Sequence, residues 1–335
     1  MPEFVPPPEG PLPEYRFSLE QQEPREEAAG TAREASAVEF PASLGVAGVS
    51  MRLRPGGLRE LHWHANAAEW GYVVEGRCRT TLVHPDGSRA AEDQETGSTW
   101  YFPRGYGHMI QTLGEDECHF ILAFDNGYFS ENATFSVSDW IVRTPREIVA
   151  ASLGIGVGEL GDLPDHEVYM ALGPVPPDPL PVEPGRERPA AESHRYPLLG
   201  MEPRRFMGGT LRVASSHEFP ISRTMTGALL ELDPGAVREM HWHPNADEWQ
   251  YVLAGGARMT VFASLGKAAT VELGAGDEPL RMLLAFNSGV YEEIGLSAWL
   301  AGNPRQVVAK NLGLSDEAAS RLPTDETFIS SPPEG

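Results

Sequence analysis

Thirteen residues from Leu58 to Trp70, LRELHWHANAAEW, are written again from Val237 to Trp249 as VREMHWHPNADEW, with nine positions identical. The repeat runs well past this stretch. EFPAS at Glu39 returns as EFPIS at Glu218, and His62, Glu69 and Gly76 return as His241, Glu248 and Gly255, all 179 residues later. TPREIVAASLG from Thr144 is answered by NPRQVVAKNLG from Asn303 at a shorter offset of 159. A chain of 335 residues that repeats itself in this way folds as two related units, each large enough to bury its own core. Each repeat tail opens with Pro at a first turn and runs into Gly, which predicts a short helix. Between the units, six prolines from Pro174 to Pro184 exclude helix and central strand and predict an extended, exposed linker.

Inside each unit, runs such as WGYVVEG, CRTTLVHPDG, HFILAFDNG and QYVLAGG are β-branched and aromatic, closed by Gly, Pro or Asp. Many short strands at regular spacing predict an all-β sandwich or closed barrel. No stretch approaches the length of a membrane-spanning helix. The formal charge of −22 argues against nucleic acid and anionic membrane surfaces as partners. The two cysteines, Cys78 and Cys118, cannot form a disulfide framework and read as buried free thiols. The first residues show neither the basic n-region nor the apolar h-region of a signal peptide. A cytoplasmic location is therefore the default expectation, and secretion the expectation for a chain preceded by a leader.

Strand alternation in HWH puts His62 and His64 on one face and Trp63 on the other. ANAA supplies a turn and the next strand opens with Glu69, so two imidazoles and a carboxylate converge across a hairpin. His108, after a Pro-Arg-Gly turn, is a candidate fourth ligand from another strand. Three neutral nitrogens and one carboxylate leave two positions open on an octahedral ion, which suits Mn or Fe better than a closed zinc site.

The spacing Gly56-x5-His62-x-His64-x4-Glu69-x6-Gly76, then Gly97-x5-Pro103-x-Gly105-x2-His108, resembles both signature motifs of the cupin family of β-barrels. With the duplication, RELHWH and FSENATF, the chain resembles the bicupin oxalate decarboxylases from about Tyr15 to Leu322. The resemblance implies two cupin barrels, of the double-stranded β-helix or jelly-roll type, with short flanking helices. Their expected limits are an N-terminal extension 1–29, a first barrel 30–163 with metal site and lid, a Pro-rich linker 164–200, a second barrel 201–323 and a tail 324–335.

The resemblance also implies that oxalate is converted to formate and CO2 with manganese, one or two ions, and O2 as co-catalyst. Carried over by position, the metal ligands are His62, His64, Glu69 and His108, and Arg59 binds and polarises the substrate. Ser130, Glu131, Asn132 and Ala133 form a lid in which Glu131 moves protons; the family usually has Ser where Ala133 stands. Arg59 is out of phase with the histidines, so it turns inward only with a bulge or strong strand curvature. Two rival functions stay in view: an oxalate oxidase yielding H2O2 and CO2, and a non-catalytic bicupin of the storage or binding kind. Glu131 favours the decarboxylase, because a placed proton donor leads to formate. Homo-oligomeric assembly is left open.

The second copy departs from the first. Gly97 maps to Gly276 at an offset of 179, but Ala123-Phe124 maps to Ala285-Phe286 at 162, so 17 residues equivalent to Ser98–Gly114 are missing. They hold the second motif, and His241, His243 and Glu248 are left as a partial site without a partner for His108. Arg238 matches Arg59, while Leu284 stands where the family more often has Glu near the second metal. The loss should remove about two strands and leave open edges. The clean join at Gly276 reads as a deletion or gene-model error rather than an evolved second site. Of the remaining features, His84, His119, His166, His194 and His217 are expected at the surface or in turns. Trp63 and Trp242 are expected to pack on the barrel's other face rather than to relay electrons.

Overall fold

The computed structural model describes residues 12–130, 134–177, 192–263, 266–274 and 278–331. The first unit carries β1 (Arg25–Glu27), β2 (Gly30–Ala35), β3 (Ala47–Leu53), β4 (Gly57–His64), β5 (Glu69–Glu75), β6 (Arg77–Val83) and β7 (Arg89–Glu95). It continues with β8 (Thr99–Phe102), β9 (Gly107–Thr112), β10 (Cys118–Phe124), β11 (Thr134–Ser136), α1 (Val137–Val142) and α2 (Arg146–Leu153). Two short strands, β12 (Met170–Leu172) and β13 (Arg195–Tyr196), flank the proline-rich segment.

Seven strands in the order β1-β2-β3-β10-β5-β8-β13 make one sheet, and β11-β4-β9-β6-β7 with β12 beside β4 make the other. Val49, Met51, Leu53, Val73, Leu82, Phe102, Ile110 and Phe120 fill the space between them. Cys78 and Cys118 are free thiols buried in that core, as their sequence context predicts. β10 is buried at all seven residues, because the outer face of its sheet is covered as well. The cover is the second unit: Trp70, Tyr72, Ile121 and Ala123 pack with Met225, Leu229, Trp249 and Leu283 in one apolar cluster.

The second unit runs β14 (Arg204–Phe206), β15 (Gly209–Ala214), β16 (Thr226–Leu232), β17 (Val237–Arg238), β18 (His241–Trp242), β19 (Glu248–Ala254), β20 (Gly256–Phe262) and β21 (Ala268–Gly274). β22 (Leu280–Phe286), β23 (Ile294–Gly295), α3 (Leu296–Ala301), α4 (Arg305–Leu312), α5 (Asp316–Ser320) and β24 (Ile329–Ser330) complete it. Its main sheet, β14-β15-β16-β22-β19, ends at β19, whereas in the first barrel β8 follows β5. The opposite wall breaks into three two-stranded ribbons, β17-β24, β18-β23 and β20-β21. In the first barrel β9 lies between β4 and β6 and joins that wall. The 17-residue gap thus removes the counterparts of β8 and β9. Without the second ladder, β20 and β21 alternate between exposed and half-buried residues, and Phe262 is left 74% exposed.

Both repeat tails are helices, α2 and α4, each closed by a left-handed glycine, Gly154 (φ 70°) and Gly313 (φ 68°). The proline-rich linker is more tied down than its composition predicts. Residues 178–191 lie outside the described ones, but β12 pairs with β4 and β13 with β8, so its ends are built into the first barrel. The N-terminal extension behaves likewise: β1 extends the first sheet, and Leu19 is buried in the cluster between the units.

Candidate metal centre

β4 supplies His62 and His64, β5 opens with Glu69, and β9 brings His108 directly opposite His62. One ligand atom from each of the four lies within 4.8 Å of the others. All four residues are buried, none more than 4% exposed. The imidazole rings sit edge-on, His62 to His64 at 5.1 Å and His62 to His108 at 4.2 Å between centroids.

The Nδ1 atoms all face outward to acceptors. His62 Nδ1 donates to the Glu60 carbonyl (2.6 Å) and His108 Nδ1 to the Tyr106 carbonyl (2.8 Å). His64 Nδ1 meets Thr134 Oγ1 at 2.8 Å; that hydroxyl donates to the Phe129 carbonyl, so it accepts from the ring. Each Nε2 therefore turns its lone pair to the centre. Burial drives His62 well below the usual histidine range, helped by Arg59, and takes His64 down to about 4 despite Glu69. Burial pushes the Glu69 carboxyl up, but without a metal a proton on His108 or His64 opposite it holds it well below the usual carboxylate range.

Glu69 Oε2 lies 3.3 Å from both His64 Nε2 and His108 Nε2, and its Oε1 accepts from the Trp100 indole N–H at 3.0 Å. Lone pairs of neutral imidazoles and a carboxylate oxygen repel at this range unless a cation lies between them. His108 Nε2 is buried without a hydrogen-bond partner. The donor set therefore fits a divalent metal.

Arg59 reaches the interior through a β-bulge. Between Arg59 and His62, β4 advances three residues while β9 advances two, from Ile110 to His108. The extra residue turns Arg59 and Glu60 inward together and leaves Leu61 49% exposed. Arg59 Nη1 donates to the Tyr169 carbonyl at 2.9 Å, and its guanidinium lies 4.0 Å from the Tyr169 ring centroid. Tyr169 is held at φ 58°, uncommon for a residue with a side chain, by its N–H donating to Glu60 Oε1 at 2.7 Å. Among the described residues no carboxylate lies within ion-pairing distance of Arg59, so its remaining donors are available to an anion.

Of the expected lid, Ser130 is described, while Glu131, Asn132 and Ala133 lie outside the described residues. Both flanks of that segment touch His64: Phe129 through its ring at 5.8 Å and Thr134 through its hydroxyl. Trp63 stacks on Phe135 and edges Trp140, away from the ligands, and Trp242 packs against Trp299 in the same way. Sequence reasoning missed Glu60, Trp100, Thr134 and Tyr169, which come from distant parts of the chain and carry no local signature. It also misplaced His119 and His194, whereas His84 opens a turn as expected, its carbonyl accepting from the Gly87 N–H. His84, His119 and His194 are buried, not superficial, while His166 and His217 are exposed. His119 faces the second unit beside Ser50 and Glu20, and His194 bonds Thr80 inside the first barrel.

In the second unit His241, His243 and Glu248 also meet, with Glu248 Oε2 3.3 Å from His243 Nε2 and 3.9 Å from His241 Nε2. This site is more open, the side chains of His241 and Glu248 being 21% and 18% exposed. Leu284 is buried in the apolar core of that unit. Arg238 repeats Arg59, donating to the carbonyl of Phe328, which is also held at φ 58°.

A family model described as Cupin matches residues 17–159 and again 201–277, the second match ending at the join left by the missing segment. The chain is 40% identical to the oxalate decarboxylase OxdC of Bacillus subtilis (strain 168), over 94% of this chain and 87% of that one. An oxalate decarboxylase of Arthroderma benhamiae is 29% identical over 96% of this chain and 85% of its own. A solved structure of the Bacillus subtilis oxalate decarboxylase at pH 4.6 superposes with a TM-score of 0.88 at 38% identity, covering 96% of this chain and 89% of that chain. The Bacillus subtilis enzyme has Mn(II) centres.

Proposed function

The chain belongs to the cupin family and, within it, to the bicupin oxalate decarboxylases, and we propose that it splits oxalate into formate and CO2 in its first barrel. The observation that carries this reading is the buried His62, His64, Glu69 and His108 cluster beside a buried arginine that has no carboxylate partner among the described residues.

Manganese held by those four residues would supply Lewis acidity and, with O2, one-electron redox chemistry. The other tasks fall to the chain. One carboxylate and three neutral imidazoles leave one positive charge uncompensated on a divalent ion, and Arg59 adds another. The pocket is thus matched to a small anion with a carboxylate at each end. Arg59 keeps its orientation because Tyr169 takes one of its donors and Glu60 fixes Tyr169. Burial of the ligands keeps the metal-binding groups themselves out of bulk water.

Hydrogen oxalate gives formate and CO2 without net oxidation, so one proton leaves a carboxyl oxygen and one arrives at carbon. Glu131 is assigned both transfers, as base and then acid. Its support is the SENA sequence and the contacts of both flanking segments with His64.

The test is product analysis of the manganese-loaded protein with oxalate at acidic pH. Formate and CO2 in equal amounts are expected. Hydrogen peroxide as the main product would make the chain an oxalate oxidase, and absence of both turnover and bound manganese would make it a non-catalytic bicupin.

A further inference from the structure

The second barrel has lost the strand that carries the fourth ligand, yet its two imidazoles remain arranged for coordination. His241 and His243 keep the edge-on geometry of His62 and His64, with centroids 5.3 Å apart. His241 Nδ1 donates to the Glu239 carbonyl and His243 Nδ1 to the Glu292 carbonyl, each at 2.7 Å, so both Nε2 atoms face the same space as Glu248. A second carboxylate approaches the same two rings. Glu293 brings an oxygen within 4.8 Å of ligand atoms of both histidines.

Glu293 has a counterpart in the first barrel that cannot do this. β11 places Thr134 opposite His64, and β23 continues the same register to place Glu293 opposite His243. The position that bears a hydroxyl in one barrel bears a carboxylate in the other. A second substitution accompanies it: Phe129, beside His64, is matched by Tyr291, beside His243. The Tyr291 hydroxyl donates to Glu293 Oε2 at 2.6 Å, and Arg238 pairs with Glu293 Oε1. The Glu293 side chain is only 4% exposed. A carboxylate so enclosed, held by two partners beside two imidazoles, is a built position and not a solvated surface charge.

We propose that Glu293 replaces the missing histidine, giving the second barrel a divalent-cation site of His241, His243, Glu248 and Glu293. The two sites differ in charge. In the first barrel one carboxylate leaves a divalent ion with net positive charge, and among the described residues Arg59 has no acidic partner. In the second, two carboxylates set against the ion and Arg238 leave one positive charge where the first site has two, and Arg238 is paired with Glu293. The second site therefore holds a metal while attracting a dicarboxylate less than the first does, and it ties β18, β19 and β23 together where the ladder strands are missing. Two imidazoles with two carboxylates suit Mn2+ and similar first-row ions.

Metal binding by the full chain tests this independently of oxalate turnover. Apo-protein would be titrated with Mn2+ and followed by EPR and by ions per chain. His108→Ala disables the first site, and that variant is expected to retain one ion and to gain thermal stability on Mn2+ addition. Adding Glu293→Gln should weaken the remaining ion at least tenfold and abolish the stability gain. Glu293→Thr, the residue the first barrel uses at this register, should do the same and stands in if the Gln variant does not fold. An unchanged affinity in the Glu293 variants, or no ion left in His108→Ala alone, would overturn the proposal.

Discussion

Trp70 of the first barrel lies directly over Gly227 of the second, and Trp249 of the second lies over Gly48 of the first. Trp70 and Trp249 are repeat partners, as are Gly48 and Gly227, so the two units meet through one self-complementary patch used twice. A β-carbon on either glycine would fall inside the opposing indole. Gly227→Ala should destabilise the chain by about 1–3 kcal/mol through overpacking, read as a lower Tm. Trp70→Phe in the same chain should recover part of the loss, because the two sites share one space. Additive losses would show that the pair does not interact.

None of this interface was legible in the sequence, since each half lies on the outer face of a sheet whose inner face already accounts for the strand pattern. The ligands were legible because strand alternation and a hairpin suffice to bring His62, His64 and Glu69 together. His108 was legible from its place after the Pro-Arg-Gly turn, and the loss of its counterpart followed from comparing the two copies. Arg59 was legible only by resemblance, because the bulge that turns it inward is a property of β4 against β9 and leaves no local mark. His119 and His194 look like ordinary polar residues until distant strands close over them.

Among the described residues the Arg59 guanidinium hydrogen-bonds only the Tyr169 carbonyl, and in the proposed function its other donors are assigned to substrate. Arg59→Lys keeps the charge but loses the planar, two-pronged contact. It should lower kcat/KM for oxalate by about 100-fold, equivalent to ~3 kcal/mol of transition-state binding, with manganese content unchanged. Steady-state kinetics with metal analysis of the same sample checks both halves. A wild-type kcat/KM would remove Arg59 from the reaction.

Trp100 acts on the metal centre through Glu69. Its indole N–H holds Glu69 Oε1 and leaves Oε2 for the ion. Trp100→Phe should reduce manganese affinity in the first barrel roughly 10–100-fold, the usual effect of removing such a partner. Competition against a chelator measures it, and the unfolding midpoint of the apo-protein separates a loosened ligand from a damaged core.

His194 is buried and lowered to about 3, chiefly by burial, with His84 and His108 adding to the effect. Glu92 lies 3.0 Å from its Nδ1 and is itself pushed up by burial. A histidine depressed on folding binds its proton mainly in the unfolded state. Stability from this group is therefore complete above an unfolded value of about 6.5 and falls with pH below it, by up to ~1.4 kcal/mol per unit. Between pH 7 and 5 the wild-type chain should lose about 2 kcal/mol more than His194→Gln. Urea midpoints at the two pH values give the comparison, and parallel losses would refute the assignment.

The missing strands should also show in local stability. β6 is hydrogen-bonded on both edges, to β7 and to β9, whereas among the described residues β20 has β21 alone. Backbone amides of Gly256–Phe262 on the unpaired edge have no ladder acceptor, and the strand has little buried surface to hold it closed. In Arg77–Val83 the same positions exchange only when the barrel opens. Local opening free energies range from about zero to the global value. Amides along the free edge of β20 should thus exchange on the order of 100-fold faster, or more, than their β6 counterparts. Hydrogen exchange read by mass spectrometry on peptides from both hairpins decides it. Equal protection would mean that the β20-β21 ribbon is covered in solution by something that takes the place of β9.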